Sequence, residues 1–562
     1  MTSQRRGTRH GGKILVDQLI VHGAELAFCV PGESYLPVLD ALSGVQDQLK
    51  LITCRHESGA SNMAEAYGKL TGKPGICFVT RGPGATHASV GVHTAFQDST
   101  PMILFVGQVD SRFLDREAFQ EIDYRHMFAP IAKWVVQIDR PERIPELVAR
   151  AYQVATSGRM GPVVVALPED ILFAEATTPD ARCWQRVESA PTSEAIKQLM
   201  ALLGEAQRPF MIVGGSGWQQ TACADLQRFV ELQDLPVACA WRFQDLLDNT
   251  HPNYAGDVGV GVNPALAAHI QASDLLLCIG ARLGEMTTGG YELIKAPVPV
   301  QKLVHVHAGV DELGRVYQAD LMINATMPAT MQALAALPRV TAAGVGATRA
   351  EAHASLLAWQ GRRAGKGKLQ LWDVVQHLNE VLPRDAIITN GAGNYAGWVQ
   401  RFYRYRGFRT QLAPTSGAMG YGVPAAVAAK ILYPGRTVVC FAGDGCFLMS
   451  GQELATAMQY RANVVFIVVN NGMYGTIRMH QEREYPGRVY GTSLTNPDFA
   501  AYATCFAAHG EVVESSDSFA PAFARALACG KPAVIELRID PEDITPNATL
   551  SAIRKEAQPK LR

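Results

Sequence analysis

Short apolar runs alternate with longer amphipathic stretches along most of the chain. The clearest example is the segment 438–472, which reads VVCFAGDG, then CFLMSGQELATAMQYRAN, then VVFIVVNNG. Two wholly apolar runs separated by a stretch with helical periodicity are typical of two parallel strands joined by a helix. The glycine and asparagine residues that close each run predict a tight turn after each strand.

The same alternation elsewhere predicts an α/β fold of three domains, each built on a doubly wound parallel sheet. The domains are predicted at 1–175, 190–340 and 365–550, and the strands of the central domain at 209–215, 235–239, 274–280 and 302–307. Linkers are predicted at 174–192 and 337–367, because these stretches contain proline or many alanine and glycine residues and lack a clear period.

Composition narrows the classes of partner. The chain has 562 residues with 51 basic and 52 acidic side chains, and it contains neither a basic stripe nor an apolar run long enough to span a bilayer. We therefore expect neither nucleic acid nor a membrane as a partner. The opening stretch MTSQRRGTRHGGK lacks the apolar segment of a secretion signal, so a cytoplasmic location is expected.

Asp444 and Asn471 follow the two apolar runs of the segment 438–472. Parallel strands end at the same edge of a sheet, so these two side chains are expected to converge there. A carboxylate, an amide oxygen and a main-chain carbonyl form the hard oxygen set that Mg²⁺ prefers, and Gly443 and Gly445 allow backbone N–H groups to approach a phosphate. The segment therefore predicts a magnesium diphosphate site, with an ordinary glycine turn beside a solvated asparagine pair as the alternative.

At these residues the segment resembles the diphosphate motif of thiamine diphosphate enzymes. The stretches RHESGASNMAEAYG, GPGATH and AFQE extend the resemblance over nearly the whole chain, to the acetohydroxyacid synthase branch of that family. The resemblance implies that the metal ligands are Asp444, Asn471 and the main-chain carbonyl of Met473. The cofactor-binding residues that it implies on the two turns are Gly443, Asp444, Gly445, Cys446, Asn471, Met473 and Tyr474.

Glu57 lies in RHESGASNMAEAYG, where a predicted helix follows a strand. From the residues alone, it is a carboxylate of the kind favoured in the first turn of a helix. The resemblance implies instead that Glu57 is catalytic and hydrogen-bonds the pyrimidine ring of thiamine diphosphate. An acid partner at that ring promotes the tautomer whose imino group removes a proton from the thiazolium carbon, the nucleophile of the coenzyme.

Three further catalytic candidates come from the resemblance: Glu33, Gln120 and His480. Glu33 matches an acidic residue of thiamine-dependent 2-oxo acid decarboxylases, where acetohydroxyacid synthases usually carry glycine. Gln120 follows Phe119 in the AFQE stretch, which borders the substrate channel in the family. His480, in IRMHQE, stands in place of a tryptophan that discriminates between acceptor 2-oxo acids, with a surface histidine as the alternative. His87 replaces a usual asparagine and is interpreted as a structural histidine.

The C-terminal domain adds four cofactor-binding candidates. Gly393 and Asn394 stand where the family usually has a Gln-His pair that helps to hold the diphosphate. Gly417 precedes Met419, at which position a bulky apolar residue of the family bends the cofactor into its reactive shape. Periodicity alone makes Met419 a core residue.

The central domain carries one candidate, Arg282, in a Gly-Ala-Arg stretch that matches the FAD-binding domain of the branch. A guanidinium suits a diphosphate or a flavin ring. The stretch 305–308, His-Val-His-Ala, departs from the acidic turn of the branch. Three alternatives therefore stay open for this domain: FAD, an ADP-like nucleotide, or an empty site.

Together these matches predict a thiamine diphosphate and Mg²⁺-dependent enzyme that decarboxylates a pyruvate-like 2-oxo acid and ligates the fragment to a second carbonyl. The resemblance implies a homodimer or homotetramer with the site at a subunit interface. Glu33 and His480 favour the alternative of a simple 2-oxo acid decarboxylase or an aldehyde-joining lyase. A non-catalytic relative that binds the coenzyme or a nucleotide is a third interpretation. A dehydrogenase is disfavoured, because no GxGxxG follows the first strand.

Overall fold

A computed structural model describes residues 7–342, 344–363 and 365–558. Residues 1–6 of the predicted first domain, and residues 343 and 364 of the predicted second linker, lie outside that description. The chain forms two compact units: one holds the residues up to Val187 together with Val427–Leu432 and Ser450–Tyr460, and the other holds the remainder. In the described ranges, no helix is both long and apolar enough to cross a membrane.

The first unit contains a six-stranded parallel sheet. In spatial order its strands are Lys50–Thr53, Leu26–Cys29, Gly75–Val79, Met102–Gln108, Pro162–Pro168 and Trp134–Gln137. The α-helices of this part of the chain are Gly11–Val21, Leu36–Ser43, Glu57–Thr71, Pro83–Asp98, Tyr124–Phe128, Ile144–Thr156 and Glu169–Phe173. Three neighbouring strands in the middle of the sheet are buried along their whole length, which explains their continuous apolar sequences. A short antiparallel pair joins Arg9–His10 to Glu175–Ala176.

The second unit contains two more six-stranded parallel sheets. The central one has the strands Tyr254–Asp257, Val237–Cys239, Pro209–Val213, Leu275–Ile279, Lys302–His307 and Leu321–Asn324 in spatial order. Its helices are Ser193–Glu205, Gln220–Gln233, Pro264–Gln271, Met327–Ala335 and Val345–Trp359. Numbered along the chain, these strands lie in the order 3-2-1-4-5-6, the doubly wound arrangement of nucleotide-binding folds.

The C-terminal sheet has the strands Gln411–Leu412, Ile387–Asn390, Val438–Gly443, Val465–Asn470, Ala533–Arg538 and His509–Val513 in spatial order. The helices of this part of the chain are Leu371–Val381, Ala396–Phe402, Gly422–Leu432, Asp444–Leu448, Leu454–Gln459, Gly475–Glu484, Phe499–Cys505, Ser516–Ala528 and Leu550–Ala557. Its strand order, 2-1-3-4-6-5, is the same as that of the N-terminal sheet. The predicted fold class, three doubly wound parallel sheets, is confirmed.

The structure differs from the prediction in the second linker, which contains the 15-residue helix Val345–Trp359. Val345 and Leu356 of this helix are buried in the core of the central sheet. Alanine has the highest helix propensity, but a helix with few large apolar side chains shows little periodicity and is missed by a pattern of apolar positions. The segment is therefore part of the central fold as well as a connection.

Candidate active site

Asp444 and Asn471 leave the C-terminal sheet at one edge. The strands Val438–Gly443 and Val465–Asn470 are parallel neighbours, and Gly443 lies opposite Val469 in their register. Both strands therefore end together, and the turn that follows each one carries one of the predicted ligands. Asp444 begins a short helix, whereas Asn471 begins a loop that leads to the helix Gly475–Glu484.

The Asp444 carboxylate is buried, with 3% of the residue exposed. One of its oxygens accepts a hydrogen bond from the Gly445 N–H at 2.8 Å. The other accepts from the Gly472 N–H at 2.9 Å and from the Asn496 side-chain amide at 2.8 Å. Burial raises the pKa of Asp444, and these hydrogen bonds oppose that effect. The carboxylate is thus held in one orientation by three donors.

The two asparagines at the end of the second strand have different surroundings. The Asn470 side chain accepts from the Asn496 amide at 3.0 Å and donates to Glu536 at 2.8 Å, so it links the strand to its neighbours. Among the described residues, the Asn471 side chain accepts one hydrogen bond, from the Met473 N–H at 3.2 Å, and Asn471 lines a cavity beside Asp444. The second asparagine is therefore the one available to a ligand.

This cavity, of about 230 Å³, lies at the carboxyl ends of the strands. All the cofactor-binding residues predicted for the C-terminal domain line it: Gly393, Asn394, Gly417, Met419, Gly443, Asp444, Gly445, Cys446, Asn471, Met473 and Tyr474. Met419 also packs against the core of the C-terminal sheet, so it is both a core residue and a wall of the cavity. Residues from four separate loops thus surround one space.

Two contacts explain the form of the cavity wall. A Cβ atom at Gly445 would lie 2.6 Å from the Tyr474 ring, so any larger residue there would have to displace the ring. The Met473 backbone pairs with Ser493 in an isolated antiparallel bridge. This bridge fixes the main chain at the position whose carbonyl is the third predicted metal ligand.

Glu57, in the first unit, begins the helix Glu57–Thr71. The preceding turn is held by Glu453, whose carboxylate accepts from the N–H groups of Arg55 at 3.1 Å and His56 at 3.0 Å. The same carboxylate accepts from the Thr456 hydroxyl at 2.6 Å. Glu453 is fully buried, and burial raises the pKa of its carboxyl group. This buried anion therefore positions the backbone that presents Glu57.

Glu33 and the loop with Gln120 are tied to one buried arginine, Arg81. Arg81 lies 3.4 Å from the Glu33 carboxylate, forms a close ion pair with Glu169, and donates from Nε to the Phe119 carbonyl at 3.3 Å. Gln120 has a positive φ of 65°, and its side-chain oxygen is buried without a hydrogen-bond partner in the described residues. Phe119 is 75% exposed. Arg81 thus connects Glu33 to the loop that carries Gln120.

His480 is exposed and lines a second, larger cavity of about 660 Å³ in the second unit. The two cavities share Gly393, Asn394, Gly417 and Thr476 along their walls, so they adjoin. The polar or aromatic residues that line the larger one include Trp241, Arg242, Asp257, Trp359, Gln400 and Arg483. Arg282 lines neither of these two cavities. Its guanidinium lies 3.3 Å from the buried Glu312.

Sequence reasoning missed two supporting residues: Asn496, which donates to the predicted metal ligand Asp444, and Glu453, which holds the turn before Glu57. Asn496 lies in a loop and Glu453 in a helix-like stretch, and neither has a local signal beyond being polar. Each acts across a long sequence separation, 52 residues from Asp444 and 397 residues from His56. Only the folded chain brings them to their partners.

The protein has three doubly wound sheets, and a carboxylate, an amide and close glycine turns surround a cavity at the strand ends of the C-terminal one. These features are typical of cofactor-dependent enzymes of the α/β class. Comparison with known proteins identifies the family. Residues 9–127, 196–334 and 391–537 match the N-terminal TPP binding, central and C-terminal TPP binding domains of thiamine pyrophosphate enzymes. The chain belongs to the thiamine pyrophosphate enzyme family, in its acetolactate synthase-like branch.

Three relatives illustrate the similarity. The acetolactate synthase isozyme 2 large subunit of Escherichia coli (strain K12) is 30% identical, over 98% of this chain and 100% of its own length. The acetolactate synthase large subunit of Corynebacterium glutamicum is 31% identical, over 94% and 86%. A probable acetolactate synthase large subunit of Methanocaldococcus jannaschii is 30% identical, over 95% and 93%. The similarity thus extends over all three sheets.

Proposed function

We propose that this protein uses thiamine diphosphate and Mg²⁺ to decarboxylate a pyruvate-like 2-oxo acid and to ligate the remaining fragment to a second carbonyl, as an acetolactate synthase does. The observation that carries the proposal is the convergence of Asp444, Asn471 and Met473 on one cavity at the strand ends. Together with the family membership, it supports a metal diphosphate site in the C-terminal domain.

The donor set fits Mg²⁺. The Asp444 carboxylate, the Asn471 amide oxygen and the Met473 carbonyl are all hard oxygens, and Mg²⁺ completes its shell with phosphate oxygens and water. A buried carboxylate whose pKa is raised by burial is stabilised when a cation arrives, because the cation replaces the lost solvation. Asn496 would keep Asp444 oriented as a neighbour of the ligand.

When bound, thiamine diphosphate supplies a thiazolium carbon that adds to the carbonyl of a 2-oxo acid and accepts the electron pair left when CO₂ departs. Glu57 would hold a proton at the pyrimidine nitrogen, the role that the resemblance implies. Glu453 would keep the Glu57 turn in place, and Met419 would support the bend of the coenzyme. The main chain at Gly443 and Gly445 would lie against the diphosphate.

We also propose a homodimer or homotetramer in which Glu57 of one copy and the metal ligands of another serve the same coenzyme. Mixing two inactive variants, Glu57→Gln and Asp444→Asn, tests this arrangement. Random exchange of subunits should restore about a quarter of the unsubstituted activity, because half of the dimers are mixed and each of these has one intact site. No recovery, with exchange verified by mass spectrometry, would show that each chain builds its own site.

A simple decarboxylase or aldehyde-joining lyase is the second candidate, and one observation favours it. Glu33 begins a short helical turn after the strand Leu26–Cys29, its side chain is 60% exposed, and it lies 3.4 Å from Arg81. A carboxylate therefore stands at the position where the carboligating branch usually has glycine. Incubation with pyruvate, thiamine diphosphate and Mg²⁺ distinguishes the two candidates. We expect acetolactate; acetaldehyde without acetolactate would support the decarboxylase instead.

FAD, an ADP-like nucleotide and an empty site remain the alternatives for the central domain. His305 hydrogen-bonds the Ala281 carbonyl at 3.0 Å, and His307 accepts from the Gly309 N–H at 3.0 Å. Arg282 faces Glu312. A nucleotide that binds at these strand ends would have to replace the present partners of His305, His307 or Arg282. The absorbance spectrum of the purified protein, followed by analysis of heat-released nucleotide, separates the three alternatives.

A further inference from the structure

We infer that His87 is a positioning residue for the Glu57 carboxylate, an inference that rests on the proposed role of Glu57. His87 Nδ1 lies 2.9 Å from Glu57 Oε2. An imidazole N–H can donate to a carboxylate oxygen at this distance, and we assign His87 as the donor. In the described part of the chain, this is the one side-chain hydrogen bond that reaches the Glu57 carboxylate.

The packing of two helices brings these residues together. His87 lies on the helix Pro83–Asp98, and Glu57 begins the helix Glu57–Thr71. One turn further along each helix, Gly91 meets Ser61 so closely that a Cβ atom at Gly91 would lie 2.3 Å from the Ser61 hydroxyl. Residues four apart share a helix face, so the contact that brings Gly91 to Ser61 also directs His87 to Glu57.

A second ring holds His87 in this orientation. The His56 and His87 rings lie in contact, with their centroids 4.6 Å apart and their planes tilted by 33°. His56 is itself fixed, because its Nδ1 accepts from the Ser58 N–H at 3.1 Å. The side chain of His87 is 51% exposed and that of Glu57 is 14% exposed, so the imidazole lies on the solvent side of the carboxylate.

The same three side chains could suggest a metal site, since ligand atoms of His56, Glu57 and His87 all lie within 4.8 Å of one another. The hydrogen bonds argue against it. His56 Nδ1 accepts from the Ser58 N–H at 3.1 Å and His87 Nδ1 lies 2.9 Å from Glu57 Oε2, so both Nδ1 atoms are already engaged. The geometry therefore favours a hydrogen bond that occupies one oxygen of Glu57 and leaves the other free for the pyrimidine.

Variants at His87 test the inference in the full-length protein. His87→Ala should lower kcat about tenfold, the effect of losing one partly exposed hydrogen bond to a charged group, with a smaller change in the dissociation constant of thiamine diphosphate measured calorimetrically. His87→Asn should stay within about twofold of the unsubstituted kcat, because its side-chain amide can donate to the same oxygen. His93→Ala, an exposed histidine on the same helix, is the matched control and should change nothing. Equal kcat for His87→Ala and the unsubstituted protein, or an equal loss in His87→Asn, would overturn the inference.

A second measurement does not need turnover. Diethyl pyrocarbonate acylates an accessible imidazole nitrogen, and the Glu57 carboxylate covers His87 Nδ1 at 2.9 Å. Mass spectrometry should therefore show faster modification of His87 in Glu57→Ala than in the unsubstituted protein, with His93 unchanged. Equal rates at His87 would overturn the contact. If the unsubstituted protein neither binds the coenzyme nor turns over a 2-oxo acid, the proposed function fails, and the modification rates still decide the contact.

Discussion

Glu453 offers a quantitative test of how the turn before Glu57 is held. One of its oxygens accepts from the N–H groups of both Arg55 and His56, and the other accepts from the Thr456 hydroxyl. Replacing the fully buried Glu453 with leucine leaves the two part-buried N–H groups without an acceptor. Each such loss costs about 1–3 kcal/mol. Burial raises the pKa of Glu453, which shows that burying its carboxylate is itself unfavourable. Leucine avoids that desolvation penalty, and this gain partly offsets the cost of the lost hydrogen bonds.

We expect a net local loss of about 2–4 kcal/mol for Glu453→Leu, which is a factor of about thirty to several hundred in an equilibrium constant. Glu453→Gln should lose no more than about 1 kcal/mol. Its amide oxygen can accept from both N–H groups, and its NH₂ group can donate to Thr456, whose hydroxyl can rotate to accept.

Hydrogen exchange measured by mass spectrometry on the peptide that contains Arg55 and His56 is the direct assay, since the exchange rate of a protected amide reports its local opening free energy. Glu25→Gln is the control, because Glu25 is an exposed carboxylate with a 3.4 Å ion pair of little expected value. Unchanged protection in Glu453→Leu, or equal loss in the leucine and glutamine variants, would refute this account of the turn.

Three further predictions concern the second unit. Gly445→Ala should abolish measurable thiamine diphosphate binding in calorimetry, because the added Cβ atom would lie 2.6 Å from the Tyr474 ring. The control Gly435→Ala should bind normally, because a Cβ atom there has no neighbour within 4 Å. Normal binding by both variants would contradict the close packing. Asn496→Leu should weaken Mg²⁺ activation about 10- to 100-fold through the lost hydrogen bond to the buried carboxylate, and an unchanged activation constant would contradict that role. Burial raises the pKa of Asp257 to about 7, so on raising the pH the unfolded chain ionises this group first, and the free energy of unfolding should fall between about pH 4 and about pH 7. Asp257→Asn should remove that part of the pH dependence in urea unfolding. Identical profiles for the variant and the unsubstituted protein would contradict the prediction.

Much of the fold follows from local pattern. Strands that are buried on both faces must be continuously apolar, so runs such as 438–443, 209–213 and 275–279 identify the middle of the C-terminal and central sheets from sequence. The residue types of edge strands are less constrained. Tyr254–Asp257 and His509–Val513 were not predicted, because a half-covered edge tolerates polar residues and the strands are short.

The sequence by itself predicted which turns carry chemistry, because Asp444 and Asn471 follow neighbouring strands of one parallel sheet and Glu57 follows a strand of another. It could not determine what holds those side chains. Asn496, Glu453 and His87 reach their partners through loops and through helix packing, and such contacts have no periodicity along the chain. The tertiary structure decided them, since long-range hydrogen bonds depend on where separate segments meet and not on the residues beside them.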